Sequence, residues 1–399
     1  MEARALRNKS AIVGIGCTEF SQNSGRSEFQ LALEASVAAC KDAGISPHEI
    51  DCITLPAYQT ETVDEADLIN GLGIKNLSYL GTLGFGGGSA CGVVAHAALA
   101  VATGMAKYAL CLRALNCRSE FRYGQFDKKR AGTHEDLEFP ITGFTAFLAP
   151  YGFFTPAQWS AFWARRHMHE FGTTAEHFGA IAVAARKHAA RNPKARFYKR
   201  PITMQDYLDS RMVVDPLRLF DCCLETDGAC ALVVTSAERA RDLKHPPSYI
   251  RAMAQGTGGP GLYPISGYNR KRLTGMEETA RMGDFLFEMA DLTREDIDVA
   301  ELYDHFGPLV LLSIEDLGFC KPGEGGPFVE GGRIELGGKL PVNTHGGLVA
   351  EAYIHGFNHI VEGVRQTRGT STSQVENAQH VLVTSADGVP TSGLILSRS

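Results

Sequence analysis

Two short polar turns carry most of the chemistry this sequence could do. Glu301-Leu302-Tyr303-Asp304-His305-Phe306 follows a strand-like apolar run. Catalytic groups in α/β folds gather at strand ends, so Tyr303, Asp304 and His305 are candidates for proton transfer. A plainer reading stays open, with Tyr303 a packed aromatic and Asp304 a helix N-cap. Asn343-Thr344-His345-Gly346-Gly347 is the second turn, and it leads into a helical pattern bearing Tyr353, His355 and His359. His355 and His359 stand one helical turn apart, a spacing that suits metal ligands. No glutamate completes an HExxH pattern and no third ligand is evident, so no metal is expected.

Nucleophiles and phosphate loops are weaker candidates. Cys91 falls one turn inside an alanine-rich helical stretch rather than at its N-terminus, where a thiolate is favoured. Cys222 and Cys223 sit beside strand-like sequence and read as core. Gly84-Phe85-Gly86-Gly87-Gly88-Ser89 resembles a phosphate loop, but no Gly-Lys-Ser/Thr follows and the sixth position is not glycine. Its glycines serve instead to let a helix start approach the sheet or a ligand closely.

The elements that must hold these turns alternate. Residues 11–16, 51–56, 77–83 and 108–114 read as strands, separated by helices at 29–43, 65–71 and 89–103. Residues 115–215 change character, with many aromatics, histidines and arginines and amphipathic helices at 155–170 and 175–191; they suggest a cover over the sheet. After a strand at 228–236, a second series begins near residue 249. It has a helix at 276–289, a strand ending at Tyr303, a helix at 309–317, a glycine-opened helix at 346–368 and strands at 380–384 and 391–397. Both series contain a glycine-rich turn opening a small-residue helix, which predicts two similar α/β halves. The division expected is 1–245, including an insertion at about 115–220, and 246–399.

Composition restricts the function classes. The 399 residues are 44% hydrophobic and 21% charged, with a formal net charge of -6. That balance gives no reason to expect nucleic acid; the run Lys128-Lys129-Arg130 reads as a solvated loop. The ten cysteines form no CxxC pair and fit a reducing cytoplasm. No signal peptide or membrane-spanning run is evident.

These motifs resemble the thiolase superfamily, above all the sterol-carrier-protein type, and within it the thiolase-like side-chain aldolases of bacterial steroid degradation. The resemblance spans nearly the whole chain. It implies a five-layer αβαβα sandwich of two βαβαβαββ halves. In thiolases the nucleophilic cysteine opens the first small-residue helix; counting back from the closing Gly104 puts Gly87 in that slot. The Gly-His-Pro slot reads Ala352-Tyr353-Ile354, and the Glu-Leu-His-Asp-Cys-Phe slot reads Glu301-Leu302-Tyr303-Asp304-His305-Phe306. The terminal Cys-x-Gly turn is replaced by residues 385–388. The cysteine is gone and two histidines have become tyrosines.

The resemblance therefore implies a retro-aldolase that cleaves a 3-hydroxyacyl-CoA without an acyl-enzyme. Its implied substrate is a 17-hydroxy steroid CoA thioester, giving a 17-ketosteroid and propionyl-CoA. Tyr303 and Tyr353 would act as acid and base, supported by His345 and Asp304, with Gly87, Asn343, Gly346, Gly347 and His305 binding substrate. No cofactor is implied beyond the CoA of the substrate. The resemblance further implies a homodimer formed through the strand near residues 77–84, carrying OB-fold domains of a partner enoyl-CoA hydratase in a heterotetramer. Two other classes stay in view: a non-catalytic lipid- or acyl-CoA-binding protein, and a cysteine-dependent acyltransferase.

Overall fold

The computed structural model describes residues 3–57, 63–84, 86–120, 122, 148–153, 155–257, 272–386 and 391–399. The Lys128-Lys129-Arg130 run and residues 387–388 lie outside the described residues. Strand β1 (Ser10–Cys17) is a largely buried run of small and branched side chains. Helix α1 (Glu28–Ala43) begins where the Ser27 hydroxyl accepts the Gln30 N–H, and ends at Gly44, whose φ of 78° breaks the helix. Strand β2 (Cys52–Ala57), helix α2 (Glu65–Leu72), strand β3 (Tyr79–Gly84), helix α3 (Ala90–Ala102) and strand β4 (Tyr108–Asn116) follow. The insertion contributes α4 (Pro156–Phe171), α5 (Ala175–Arg191) and α6 (Met204–Asp209), before β5 (Asp227–Ser236) closes the first series.

The second series is β6 (Ser248–Gly256), α7 (Glu277–Ala290), β7 (Val299–Glu301), α8 (Gly307–Asp316), α9 (Gly347–Ala350), α10 (Phe357–Arg368), β8 (His380–Thr384) and β9 (Thr391–Ser397). Nine strands join in the order β3-β2-β4-β5-β1-β6-β9-β8-β7. β1 and β6 meet at a seam of two register pairs, Ala11 with Tyr249 and Ile12 with Ser248. Outward from the seam, β1-β5-β4-β2 and β6-β9-β8-β7 repeat the same senses: antiparallel, antiparallel, parallel. β3 adds a parallel edge to β2, whereas its counterpart beside β7 is one parallel bridge between Ala300 and Val342. α3 packs on strands of both halves, α1 on the first half alone and α7 on the second. This is the expected thiolase layering, with α3 and α10 in the middle.

Two expectations need correction. The helix foreseen over 346–368 is broken into α9 and α10. Gly346, Gly347, His355 and Gly356 have φ of 115°, 66°, 47° and 83°, and left-handed residues cannot continue a right-handed helix. The strand expected to reach Tyr303 stops at Glu301. Both changes leave a tyrosine on irregular backbone, free of a helix or strand register. The insertion lies over these turns: α5 packs on α8 and α9, His188 Nδ1 is 3.2 Å from the Asn343 carbonyl and the Asn192 amide donates to the His345 carbonyl.

Candidate active site

Tyr303 leaves β7 and Tyr353 sits in the break between α9 and α10, and their phenolic oxygens are 3.3 Å apart. Both rings are buried, 3% and 8% exposed, among Leu115, Cys117, Leu348 and Ala386. Their backbones are pinned by threonines that sequence reading did not single out. The Tyr303 N–H donates to Thr384 Oγ1 and the Tyr353 N–H to Thr226 Oγ1.

Position 87 has no room for a side chain beside this pair. A Cβ built on Gly87 would lie 2.0 Å from the Tyr303 hydroxyl oxygen and 2.7 Å from its ring carbon. No side chain fits there while the phenol occupies the space. Gly356 does the same from the other side, since its Cβ would fall 2.9 Å from the ring. The phenol of Tyr303 thus fills the volume that a side chain at position 87 would need.

Two histidines flank the pair, and the sequence pattern Tyr-x-His marks both. His305 stands edge-on to Tyr303 with ring centroids 5.1 Å apart, and His355 edge-on to Tyr353 at 5.0 Å. Burial pushes the His305 pKa down to about 3, and burial together with the Arg113 charge pushes His355 well below its usual value. Both rings are neutral at physiological pH. His355 and Arg113 were not expected at the site; the repeated Tyr-x-His was the available signal for the first, and nothing local marks the second.

The remaining expected residues support the turn rather than face the phenols. Asn343, expected at substrate, accepts the Leu302 N–H and donates to the Leu302 carbonyl, 2.8 and 2.9 Å, fixing the backbone just before Tyr303. Gly346, also expected there, lets α5 come close, since its Cβ would sit 2.9 Å from the Ala189 Cα. Gly347 makes room for the Asp304 carboxylate, which would be 2.0 Å from a Cβ. Asp304 accepts the Leu348 N–H at 2.7 Å and lies 3.2 Å from His359 Nε2; it is not the N-cap of the helix that follows it, whose cap residue is Phe306. Among the described residues, His345 meets carboxylates and the His359 ring rather than either phenol. Its Nδ1 lies 3.0 Å from Glu301 and its Nε2 3.5 Å from Glu351. Burial opposes its charge, but Glu351 and Glu301 outweigh that and raise its pKa to about 9. The pair of histidines noted for its spacing also separates, with His355 at Tyr353 and His359 among these carboxylates.

The thiols are not poised as nucleophiles. Burial pushes Cys91 and Cys222 up to about 12 and Cys223 well above the usual range. Cys91 is fully buried, its N–H donating to the Ser385 hydroxyl. A thiolate is the reactive form, so none of the three suits an acyl-enzyme.

Comparison with known proteins identifies the family. Residues 266–397 match the family model described as thiolase C-terminal domain-like. A steroid side-chain-cleaving aldolase of Thermomonospora curvata is 51% identical over 391 residues, 98% of each chain. A 17-hydroxy-3-oxo-4-pregnene-20-carboxyl-CoA lyase of Mycobacterium tuberculosis is 50% identical over 98% of this chain and 100% of its own. A solved structure described as an Ltp2-ChsH2(DUF35) aldolase superimposes with a TM-score of 0.91 at 49% identity, covering 98% of each chain. The chain belongs to the thiolase-fold family of steroid side-chain-cleaving aldolases.

Proposed function

We propose that this chain cleaves the carbon–carbon bond of a 17-hydroxy steroid CoA thioester, releasing a 17-ketosteroid and propionyl-CoA, with Tyr303 and Tyr353 as its acid–base pair. The observation that carries this reading is the contact of the two phenolic oxygens over a glycine in the nucleophile slot. One phenolate removes the proton from the β-hydroxyl; the bond between the α and β carbons breaks and its electron pair becomes a thioester enolate. The enolate is then protonated at its α-carbon by the partner phenol. No acyl-enzyme forms, so no cysteine is required, and no cofactor is called for beyond the CoA of the substrate. A free tyrosine has a pKa near about 10, so the base needs stabilisation. The neighbouring phenol can donate to it, and neutral His305 and His355 stand edge-on beside the pair. The chemistry of the two curated relatives, as named, favours the steroid substrate.

The family's assembly is proposed here too. β3 is the terminal strand of the sheet and alternates half-buried with exposed side chains, which suits pairing with β3 of a second copy. The structural relative carries a DUF35 partner in its description, in keeping with an OB-fold domain of a hydratase on each side of the dimer. Among the described residues no helix is long and apolar enough to cross a membrane, and a cytoplasmic location is proposed from the ten cysteines, all free.

The test is steady-state turnover of a steroid-CoA by the full complex. Tyr303→Phe and Tyr353→Phe should each lower the rate by about a hundred- to ten-thousand-fold, with the double variant costing less than the sum. Cys91→Ala, as a control, should stay within about tenfold, or 1.4 kcal/mol of barrier. Near-normal rates from both folded tyrosine variants would show that the phenols are packing aromatics.

A further inference from the structure

Beneath the Tyr303 turn, three ligand-type atoms converge although their residues are far apart in sequence. Glu301 Oε2 lies 3.0 Å from His345 Nδ1 and 3.7 Å from His359 Nδ1. All three atoms fall within 4.8 Å of one another and all three side chains are fully buried. The two imidazoles stand edge to face, 4.9 Å between centroids at 87°. Close as they are, the three atoms have no aligned hydrogen-bond partner. Buried polar atoms without partners are uncommon and call for an explanation.

The atoms around them are arranged as supporting groups. The far nitrogen of His345 lies 3.5 Å from the Glu351 carboxylate, and that of His359 lies 3.2 Å from Asp304, though without an aligned hydrogen bond. The other oxygen of Glu301 accepts the Thr344 hydroxyl at 2.8 Å and the Thr344 N–H at 3.2 Å. A metal-bound histidine typically gives its second nitrogen to a carboxylate, and a metal-bound carboxylate is itself hydrogen-bonded. The charge also fits. Glu301, Asp304, Glu351 and Glu362 crowd this region, where Arg365 lies 3.8 and 3.4 Å from Glu351 and Glu362 and His345 lies 3.5 Å from Glu351. Positive charge is favoured here, and a divalent ion brings as much of it as two imidazolium protons.

We propose that Glu301 Oε2, His345 Nδ1 and His359 Nδ1 bind one divalent transition-metal ion. Two imidazoles and a carboxylate suit zinc, with cobalt as its spectroscopic substitute. Complete burial makes the site structural: the ion braces β7, the Asn343 turn and α10. Glu301 and Asp304 flank Tyr303, and the His359 ring is 6.1 Å from the Tyr303 ring, so the brace sets where the phenol stands. The spacing of His355 and His359 pointed to the wrong partner; the ligands come from three separate elements.

The test uses the full chain with its native partner, purified without metal-affinity resin. Elemental analysis should find about one divalent transition metal per chain, as one three-ligand site requires. Chelator-treated protein should take up cobalt(II) with the visible absorption of a protein-bound ion. His345→Gln and His359→Gln should lose both signals, whereas His355→Gln should keep them. If those two variants fail to fold, the wild-type measurements decide alone. Wild-type protein that is folded, active, metal-poor and silent with cobalt would overturn the proposal and leave two imidazolium protons as the counter-charge. Metal retained undiminished in both ligand variants would overturn it as well, by placing the ion elsewhere.

Discussion

Among individual residues, Gly87 carries the largest consequence for its size. Its missing side chain is the space that the Tyr303 hydroxyl fills, so any side chain at position 87 and the phenol compete for one volume. Gly87→Ala should therefore push the phenol off its partner. Overpacking a filled site costs roughly 1–3 kcal/mol, and the displaced hydroxyl should lower turnover at least as much as Tyr303→Phe does. Adding Tyr303→Phe to Gly87→Ala should recover part of the lost stability without recovering activity, because the two sites touch and their effects are not additive. Thermal unfolding together with turnover of the single and double variants checks this. A Gly87→Ala enzyme of normal stability and rate would mean that the phenol can vacate the slot. The tyrosines themselves, and the glycine slot, were legible in the sequence. The contact between the phenols was not, because no local pattern spans 50 positions.

At the level of elements, the insertion helices control the site through what they bury. α6 and the turn before β5 enclose Asp221, which is fully buried and accepts the Tyr207 hydroxyl at both oxygens and the Arg218 N–H at 2.7 Å. Burial outweighs these bonds and raises its pKa to about 6. The sign follows from linkage. A carboxyl whose folded pKa exceeds its unfolded value near about 3.9 binds its proton more tightly when folded. Its contribution is complete below about pH 4 and is lost as pH rises through about 6, a change of about 3 kcal/mol at 1.36 kcal/mol per unit. Between pH 4 and 7 the wild type should lose that much stability relative to Asp221→Asn, measured by denaturant unfolding. Parallel pH curves for the two proteins would refute it. Element boundaries here were mostly visible beforehand: α1 stops at Gly44 and α5 spans Ala175–Arg191 as expected. The break between α9 and α10 was hidden, since the glycines and His355 that cause it sit within an otherwise helical pattern.

For the whole molecule, the open question of assembly falls on β3. It is the outermost strand, and Leu80 on it is 46% exposed. A free, partly apolar edge is a template for pairing, and around a two-fold axis Leu80 would meet its own copy or a near neighbour. Light scattering on the purified complex should find two copies of this chain. Leu80→Arg, which sets like charges across the axis, should shift that to one. A wild-type complex with a single copy would remove the dimer and the role given to β3.

The sequence alone determined the alternation of strands and helices, their caps, the two similar halves and the exchange of one cysteine and two histidines for glycine and tyrosines. The alternation, caps and halves follow from periodicity and residue type, which are local properties of the chain; the exchange is what the resemblance to thiolases implies. Tertiary structure decided which groups meet. It joined β1 to β6 at the seam, set Tyr303 against Tyr353, and gave Asn343, Gly346 and Gly347 close contacts within the scaffold. It also separated His355 from His359 and brought His359 to His345 and Glu301. The physical reason is that such contacts depend on close packing between distant segments and on left-handed turns at a few residues. Neither leaves a repeating mark in the sequence that folds into them.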